Sequence, residues 1–257
     1  MLTPPEIARS LLAAGESKAR LPLGKMLLLA ILAGAYIALA GVGATAAAVT
    51  VESGSLAKLL SACVFPAGLS MVILAGSELF TGNCLMVMAL LERRITPAQL
   101  LRNWLTVYLG NAMGGAAVAA LAVYSHTASL FGDGLARSMV SIAESKAALG
   151  AGDAFLRGVL CNFLVCLAVW MAAASKRAEG KVIALFFPIL LFVLCGYEHC
   201  IANLYYLPAG AFAAAEYGME TTLTLAGCLK NLAAVTLGNL VGGAALGVGY
   251  RFAYLKE

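Results

Sequence analysis

The sequence contains a copy of part of itself. Arg102-Asn103-Trp104-Leu105-Thr106-Val107-Tyr108-Leu109-Gly110-Asn111-Ala112-Met113-Gly114-Gly115 returns as Lys230-Asn231-Leu232-Ala233-Ala234-Val235-Thr236-Leu237-Gly238-Asn239-Leu240-Val241-Gly242-Gly243, with seven of fourteen positions identical at an offset of 128 in a chain of 257. Each copy follows an apolar stretch that a short polar run interrupts. The first interruption is Glu78-Leu79-Phe80-Thr81-Gly82-Asn83, the second Gly196-Tyr197-Glu198-His199-Cys200-Ile201-Ala202-Asn203. Carboxylates, an imidazole and amides are costly in such a setting, and ionisable groups at membrane depth usually face a cavity or a pathway. Broken segments at corresponding places in two halves point to a solute site near the bilayer midplane, with the halves in opposite orientation.

Composition sets the solvent. The chain is 62% hydrophobic and 12% charged, against about 45–50% apolar and about 25% charged in a soluble domain. Its apolar runs are about 20 residues long, as helices that cross a bilayer require; an outer-membrane barrel would show alternating segments of about 10. The expected fold is therefore all-α, a polytopic membrane protein with six transmembrane helices in two inverted three-helix repeats, 26–125 and 153–254, within one channel domain, 1–257. The expected spans are Met26–Val51, Leu56–Ser77 continued after a break by Cys84–Leu91, Asn103–Tyr124, Ala154–Ala174, Val182–Tyr197 continued by Ile201–Ala215, and Thr222–Tyr250. Helices 2 and 5 are thus broken, and residues 125–152 form a polar connection.

Charge placement orients the spans. With six spans and both termini inside, the inner face holds twelve Lys and Arg, Lys256 among them. The outer face holds five: Lys58, Arg137, Lys146, Arg157 and Lys230. Cytoplasmic loops carry the excess of positive charge, so both termini are expected in the cytoplasm. Residues 1–25 place Ile7, Leu11, Leu12 and Ala14 on one side of a helix that Pro4-Pro5 can start, which reads as an amphipathic segment on the cytoplasmic membrane surface. The net charge of +4 serves topology, and no basic run interleaved with aromatics suggests nucleic acid. Seven cysteines, none in Cys-x-x-Cys, read as small buried hydrophobes. A metal site of Cys195, His199 and Cys200 lacks a fourth ligand at suitable spacing, so neither metal nor cofactor is expected.

Four motifs in order carry a resemblance. They are Gly76-Ser77-Glu78-Leu79-Phe80-Thr81-Gly82; Asn103-Trp104-Leu105 with Val107-Tyr108 and Gly110-Asn111; Gly158 to Met171, containing Cys161-Asn162-Phe163 and Val169-Trp170; and Gly196-Tyr197-Glu198-His199 with Ile201-Ala202-Asn203. In these the chain resembles the formate/nitrite transporter family over nearly its whole length. The resemblance implies a homopentameric channel of the bacterial inner membrane, built on an aquaporin-like protomer and passing small monovalent anions. It assigns the central pore histidine to His199, the threonine of the first break to Thr81, and the lysine near the outer end of the fourth span to Lys146. It places apolar constrictions at Phe65, Leu69, Leu79 and Phe192. Glu198, Asn162 and Asn203 look like buried polar support around the lysine and the histidine. The family also implies that the loop Leu79–Asn83 changes conformation and that the N-terminal segment affects the inner mouth.

The chemistry of these residue types agrees. A bare anion crosses a ring of Phe65 and Phe192 only at a cost of many kcal/mol, whereas a protonated weak acid is neutral. Lys146 would raise the local anion concentration. His199 can hydrogen-bond or donate a proton, and Thr81 offers a hydroxyl that donates or accepts. The expected partners are thus the lipid bilayer, a proton and formate, nitrite or hydrosulfide. The Gly76-Ser77-Glu78-Leu79-Phe80-Thr81-Gly82 and Gly196-Tyr197-Glu198-His199 pattern leans toward nitrite-type relatives, and Gly82-Asn83-Cys84 leaves a hydrosulfide channel open. An intramembrane enzyme using His199 and Cys200 is the reading from another class; His-Glu-x-x-His and Gly-x-Ser-x-Gly are both missing from the sequence. A neutral-solute pore of aquaporin type would carry paired Asn-Pro-Ala, which is missing as well.

Overall fold

Glycine decides how closely the helices approach. In the computed structural model, which describes residues 1–255, α2 (Leu23–Ala48) packs along α7 (Pro97–Tyr124), and α9 (Ala151–Ala173) along α12 (Leu225–Tyr254). A Cβ on Gly114 would collide with the carbonyl oxygen of Ile31, and one on Gly242 with that of Val159. Both members of this contact, glycine and carbonyl, recur at the offset of 128. Lipid gives no hydrophobic drive between helices, so close backbone packing at small residues supplies the attraction.

Around these two pairs the remaining elements follow in chain order. α1 (Pro4–Ala19) precedes α2. After α2 come α3 (Gly54–Val64) and α4 (Pro66–Ala75), then α5 (Phe80–Asn83), a 3-10 turn at Cys84–Met86 and α6 (Val87–Leu91). In the second half α8 (Gly134–Ala148) precedes α9, and α10 (Ala178–Leu194) and α11 (Cys200–Glu216) precede α12. Among the described residues there is no strand. Among the described residues, five segments are long and apolar enough to cross a membrane: Leu23–Ala48, Gly54–Ala75, Pro97–Tyr124, Ala151–Ala173 and Leu225–Tyr254. α10 and α11 have 17 residues each. Lys256, counted above with the inner charges, lies outside the described residues.

Three details differ from the sequence reading. First, α7 begins at Pro97, six residues ahead of Asn103, because Thr96 and Gln99 cap each other: Gln99 N–H donates to Thr96 Oγ1 at 3.2 Å and Thr96 N–H to Gln99 Oε1 at 2.8 Å. Second, the apolar face of α1 rests on protein. Ile7 and Ala8 pack with Met88 and Trp170, and Ala19 with Met86 and Ala89. An apolar stripe looks the same in sequence whether lipid or another helix covers it.

Third, the polar connection 125–152 contains a helix. α8 buries Leu135, Ala136, Met139 and Val140 and packs on α11. Its Glu144 takes hydrogen bonds from Thr222 N–H at 2.7 Å and from the hydroxyls of Thr221 and Thr222 at 2.9 and 3.1 Å. These bonds, led by that of the Thr222 N–H, hold the Glu144 carboxyl below the usual carboxylate range. They tie the end of α8 to the start of the last helix.

Candidate functional site

Two chain breaks meet at the centre of the molecule, and both are built alike. α4 ends at Gly76 in the left-handed region at φ 79°, and α10 is followed by Gly196 at φ 69°, a conformation glycine adopts without steric cost. Two residues on, Glu78 N–H donates to the carbonyl of Leu29 at 3.2 Å, and Glu198 N–H to that of Arg157 at 3.3 Å. The chain then re-enters a helix with Leu79 as N-cap of α5 and His199 as N-cap of α11.

A break frees backbone groups that lipid cannot satisfy. Buried asparagines take them up. Asn111 Oδ1 accepts from Phe80 N–H at 3.0 Å, while its Nδ2 donates to the carbonyls of Ala30 and Glu78 at 2.7 and 2.9 Å. Asn239 Oδ1 accepts from Cys200 N–H at 2.9 Å, and its Nδ2 donates to the carbonyls of Gly158 and Glu198 at 2.8 and 2.9 Å. Both asparagines are fully buried. This explains the Gly-Asn of the repeat: the glycine brings the helices together, and the asparagine one residue later completes the neighbouring break.

A second set holds charge. Glu78 accepts from Lys18 Nζ at 2.7 Å and from Asn83 Nδ2 at 2.7 Å, and Asn83 Nδ2 also donates to Asn103 Oδ1 at 2.9 Å. Glu198 accepts from Lys146 Nζ at 2.9 Å and from Asn203 Nδ2 at 2.7 Å, and Asn203 Nδ2 donates to Asn231 Oδ1 at 2.8 Å. Each carboxylate is buried and is paired with a lysine and an amide, which an ionised group at this depth requires.

Between the two sets lies the bond that joins the breaks. Thr81 Oγ1 and His199 Nε2 are 3.0 Å apart, with Thr81 fully buried and His199 3% exposed. The ring's other nitrogen, Nδ1, accepts the N–H of Ala202 at 3.1 Å. A backbone N–H only donates, so Nδ1 carries no proton. The neutral ring consequent on this has its hydrogen on Nε2 and donates to Thr81. Phe192 stacks on the imidazole at 5.8 Å, and Phe65 meets Phe192 edge-on at 5.6 Å. A cavity of about 860 Å3 reaches Phe65, Phe192 and His199 from the side of Lys146. A second, about 350 Å3, reaches Leu69, Leu79 and Gly82 from the side of Lys18 and α1. The Lys146 ammonium also lies 5.3 Å from the centre of the Tyr206 ring.

The structure thus brings His199, Thr81, Phe65 and Phe192 together, with Lys146 bound to Glu198 behind them. Leu69 and Leu79 sit on the far side of the Thr81–His199 pair. Asn203 stands at Glu198. Asn162 lies elsewhere: its Nδ2 donates to the carbonyls of Thr81 and Asn239 at 3.2 and 2.7 Å, so it fixes the threonine's backbone. Cys195 is exposed while Cys200 is buried beside Asn239, and among the described residues no three His, Cys, Asp or Glu gather as metal ligands. Sequence reasoning missed Lys18, Glu78, Asn111 and Asn239. The signal was present: counting 128 back from Lys146 lands on Lys18.

Comparison with known proteins gives a consistent result. The profile of the family described as "Formate/nitrite transporter" matches residues 5–253. A probable formate transporter of Methanothermobacter thermautotrophicus is 38% identical over 99% of this chain and 98% of its own length. Among solved structures, an FNT family ion channel superposes with a TM-score of 0.86 at 32% identity, covering 96% of this chain and 98% of that one. A pentameric formate channel with formate bound superposes at 0.80 and 33% identity, over 91% and 98% of the two chains.

Proposed function

Because this chain belongs to the formate/nitrite transporter family, matched from residue 5 to residue 253, we propose that it passes formate or nitrite across a membrane through the Thr81–His199 junction. Its family and structural neighbours are channels and transporters, not enzymes. Formate stands ahead of nitrite, against the lean of the sequence motifs, because the relatives' names specify formate. Hydrosulfide is the alternative substrate in the same pore. The pentamer named for one neighbour is the assembly we propose here, with six crossings per protomer, the two broken ones being α3–α6 and α10–α11. Placement in a bacterial inner membrane rests on the family resemblance, and the cytoplasmic position of both termini on the charge count. The repeating unit then starts with α1 and α8, earlier than the expected 26–125 and 153–254.

The observation that carries the reading is the 3.0 Å contact between two buried polar side chains, one from each half, where the two cavities end. A monovalent anion drawn toward Lys146 meets the Phe65–Phe192 pair, where a bare charge is costly. Association with a proton removes that cost. Past the rings the solute displaces Thr81 from His199. The Nε2–H then donates to a solute oxygen, and the freed Thr81 hydroxyl turns to the same solute. His199 acts in this scheme as a hydrogen-bond donor whose direction Ala202 fixes. Leu69 and Leu79 form the exit side, and Lys18 with Glu78 repeats the charge pair at the other mouth.

The test is side-by-side flux of formate, nitrite and hydrosulfide in proteoliposomes enclosing a pH-sensitive dye. Formate or nitrite gradients should move the solute and change internal pH. Absence of flux for all three would remove the proposal, and flux of hydrosulfide alone would select the alternative.

A further inference from the structure

The two cavities differ in charge although the two halves share one plan. The cavity on the Lys146 side is lined by Lys58, Arg137, Lys146 and Arg157 and by a single carboxylate, Glu198. Lys146 and Glu198 pair at 2.9 Å, which leaves three cations with no carboxylate in the cavity. Among the described residues, Lys58 and Arg157 make no side-chain hydrogen bond or ion pair, and Arg137 donates to the neutral carbonyl of Gly132 at 2.5 Å. The cavity on the α1 side has only Lys18 and Glu78 as charged lining, paired at 2.7 Å.

Backbone geometry does not impose this difference. Arg157 offers its carbonyl to Glu198 N–H just as Leu29 offers its own to Glu78 N–H. The same place in the scaffold therefore carries a guanidinium in one half and an isobutyl group in the other. The serine hydroxyls of Ser61, Ser138, Ser141 and Ser145 add neutral donors to the charged cavity. Three unneutralised, solvent-exposed cations at an open cavity of about 860 Å3 make a positive potential that favours anions, and most strongly those of higher charge.

We infer that Lys58, Arg137 and Arg157 form a one-sided binding site for multivalent oxyanions, which lodge in this cavity, cannot pass the Phe65–Phe192 constriction and block the pore from that side alone. Blocking rests on the reading of the chain as an anion channel; binding of the oxyanion does not. A pyrophosphate-sized anion exposes several oxygens to the guanidiniums of Arg137 and Arg157 and to the Lys58 ammonium. The apolar ring that admits a small neutral acid refuses it.

The probe is pyrophosphate, applied to either face of oriented bilayers that carry the full-length protein. At low ionic strength it should inhibit formate flux from the Lys146 side at a concentration about tenfold or more below that needed from the α1 side. The preference should vanish at high ionic strength, where the Debye length shrinks to a few ångström, about 3 Å at 1 M. Replacing all three cations (Lys58→Gln, Arg137→Gln, Arg157→Gln) should abolish the preference, whereas Lys58→Arg with Arg157→Lys should keep it. Titration calorimetry reads the site without transport: wild-type and charge-conserving proteins should bind pyrophosphate in a salt-sensitive way, and the triple variant should bind at least about tenfold more weakly. Equal inhibition from both faces, or equal calorimetric binding by wild-type and triple variant, overturns the inference. A wild-type protein that binds pyrophosphate yet carries no weak-acid anion overturns the transport reading instead.

Discussion

Leu79 and His199 hold the same position in the two breaks with nearly the same backbone, φ −110° ψ 123° and φ −112° ψ 113°, each as the N-cap of the helix that follows. One side chain is isobutyl, the other imidazole. The centre of the proposed pathway is therefore alike in backbone and asymmetric in chemistry, with an imidazole from one half facing no counterpart at Leu79 in the other.

His199→Asn separates the two roles of that ring. Asparagine is a good N-cap and should keep α11 in place, so the loss of stability should be that of the buried Thr81 bond alone, about 1–3 kcal/mol. It does not reach Thr81 as the Nε2–H does, so formate flux should fall about tenfold or more. Thermal unfolding and liposome flux measure the two effects. A variant with wild-type rate and wild-type pH dependence would dismiss the proposed role of the imidazole.

Lys146→Met leaves Glu198 charged and buried without its cation; the two side chains are only 15% and 7% exposed. The expected loss of stability is about 3–5 kcal/mol. Adding Glu198→Gln should recover part of it, because the residual cost is that of an unpaired charge. A double-mutant cycle on unfolding in detergent reads the coupling, and simple additivity would contradict it.

Asn111→Ala and Asn239→Ala each strand a buried backbone N–H, that of Phe80 or of Cys200. Each should destabilise by at least about 1–3 kcal/mol, and by similar amounts, since the two environments are alike. A large loss from one and none from the other in thermal unfolding would show that the two breaks are not held in the same way.

Glycine substitutions should sort by place. An added Cβ at Gly76 or Gly196 meets nothing within 4 Å, so alanine there costs only the left-handed backbone, about 1–2 kcal/mol. At Gly114 or Gly242 it meets a carbonyl of the neighbouring helix, and α2–α7 or α9–α12 must move apart. Gly242→Ala should prevent recovery of folded protein under conditions in which Gly76→Ala yields it, as size-exclusion profiles would report.

Sequence alone revealed the residues that look out of place. His199, Glu198 and Thr81 are polar within apolar runs, and the repeated Asn103 and Asn231 marked the two halves. It did not reveal α8, whose Lys, Arg and Glu residues lower its hydropathy to that of a loop although one face is buried under α11. Nor did it reveal the pairing of Lys18 with Glu78, because the partners stand 60 residues apart and a lysine on an amphipathic helix reads as a solvated charge. The work of Asn111 and Asn239 was hidden for a related reason. Beside Gly110 and Gly238 they look like part of a packing motif, and only the folded chain shows which N–H each amide receives. The starts of α7 and α12 also shifted, to Pro97 and Leu225, since the capping side chains of Thr96 and Thr224 rather than hydropathy set where those helices begin.

The Thr81–His199 bond is also a mechanical gauge. It joins residues 118 positions apart, one from each half of the molecule, and a hydrogen bond of 3.0 Å weakens steeply once stretched by about half an ångström. Any sliding of one half against the other is therefore registered at this pair. On the proposed pathway the same pair meets the solute, so permeation and the relative position of the two halves would share one coordinate without a separate gate.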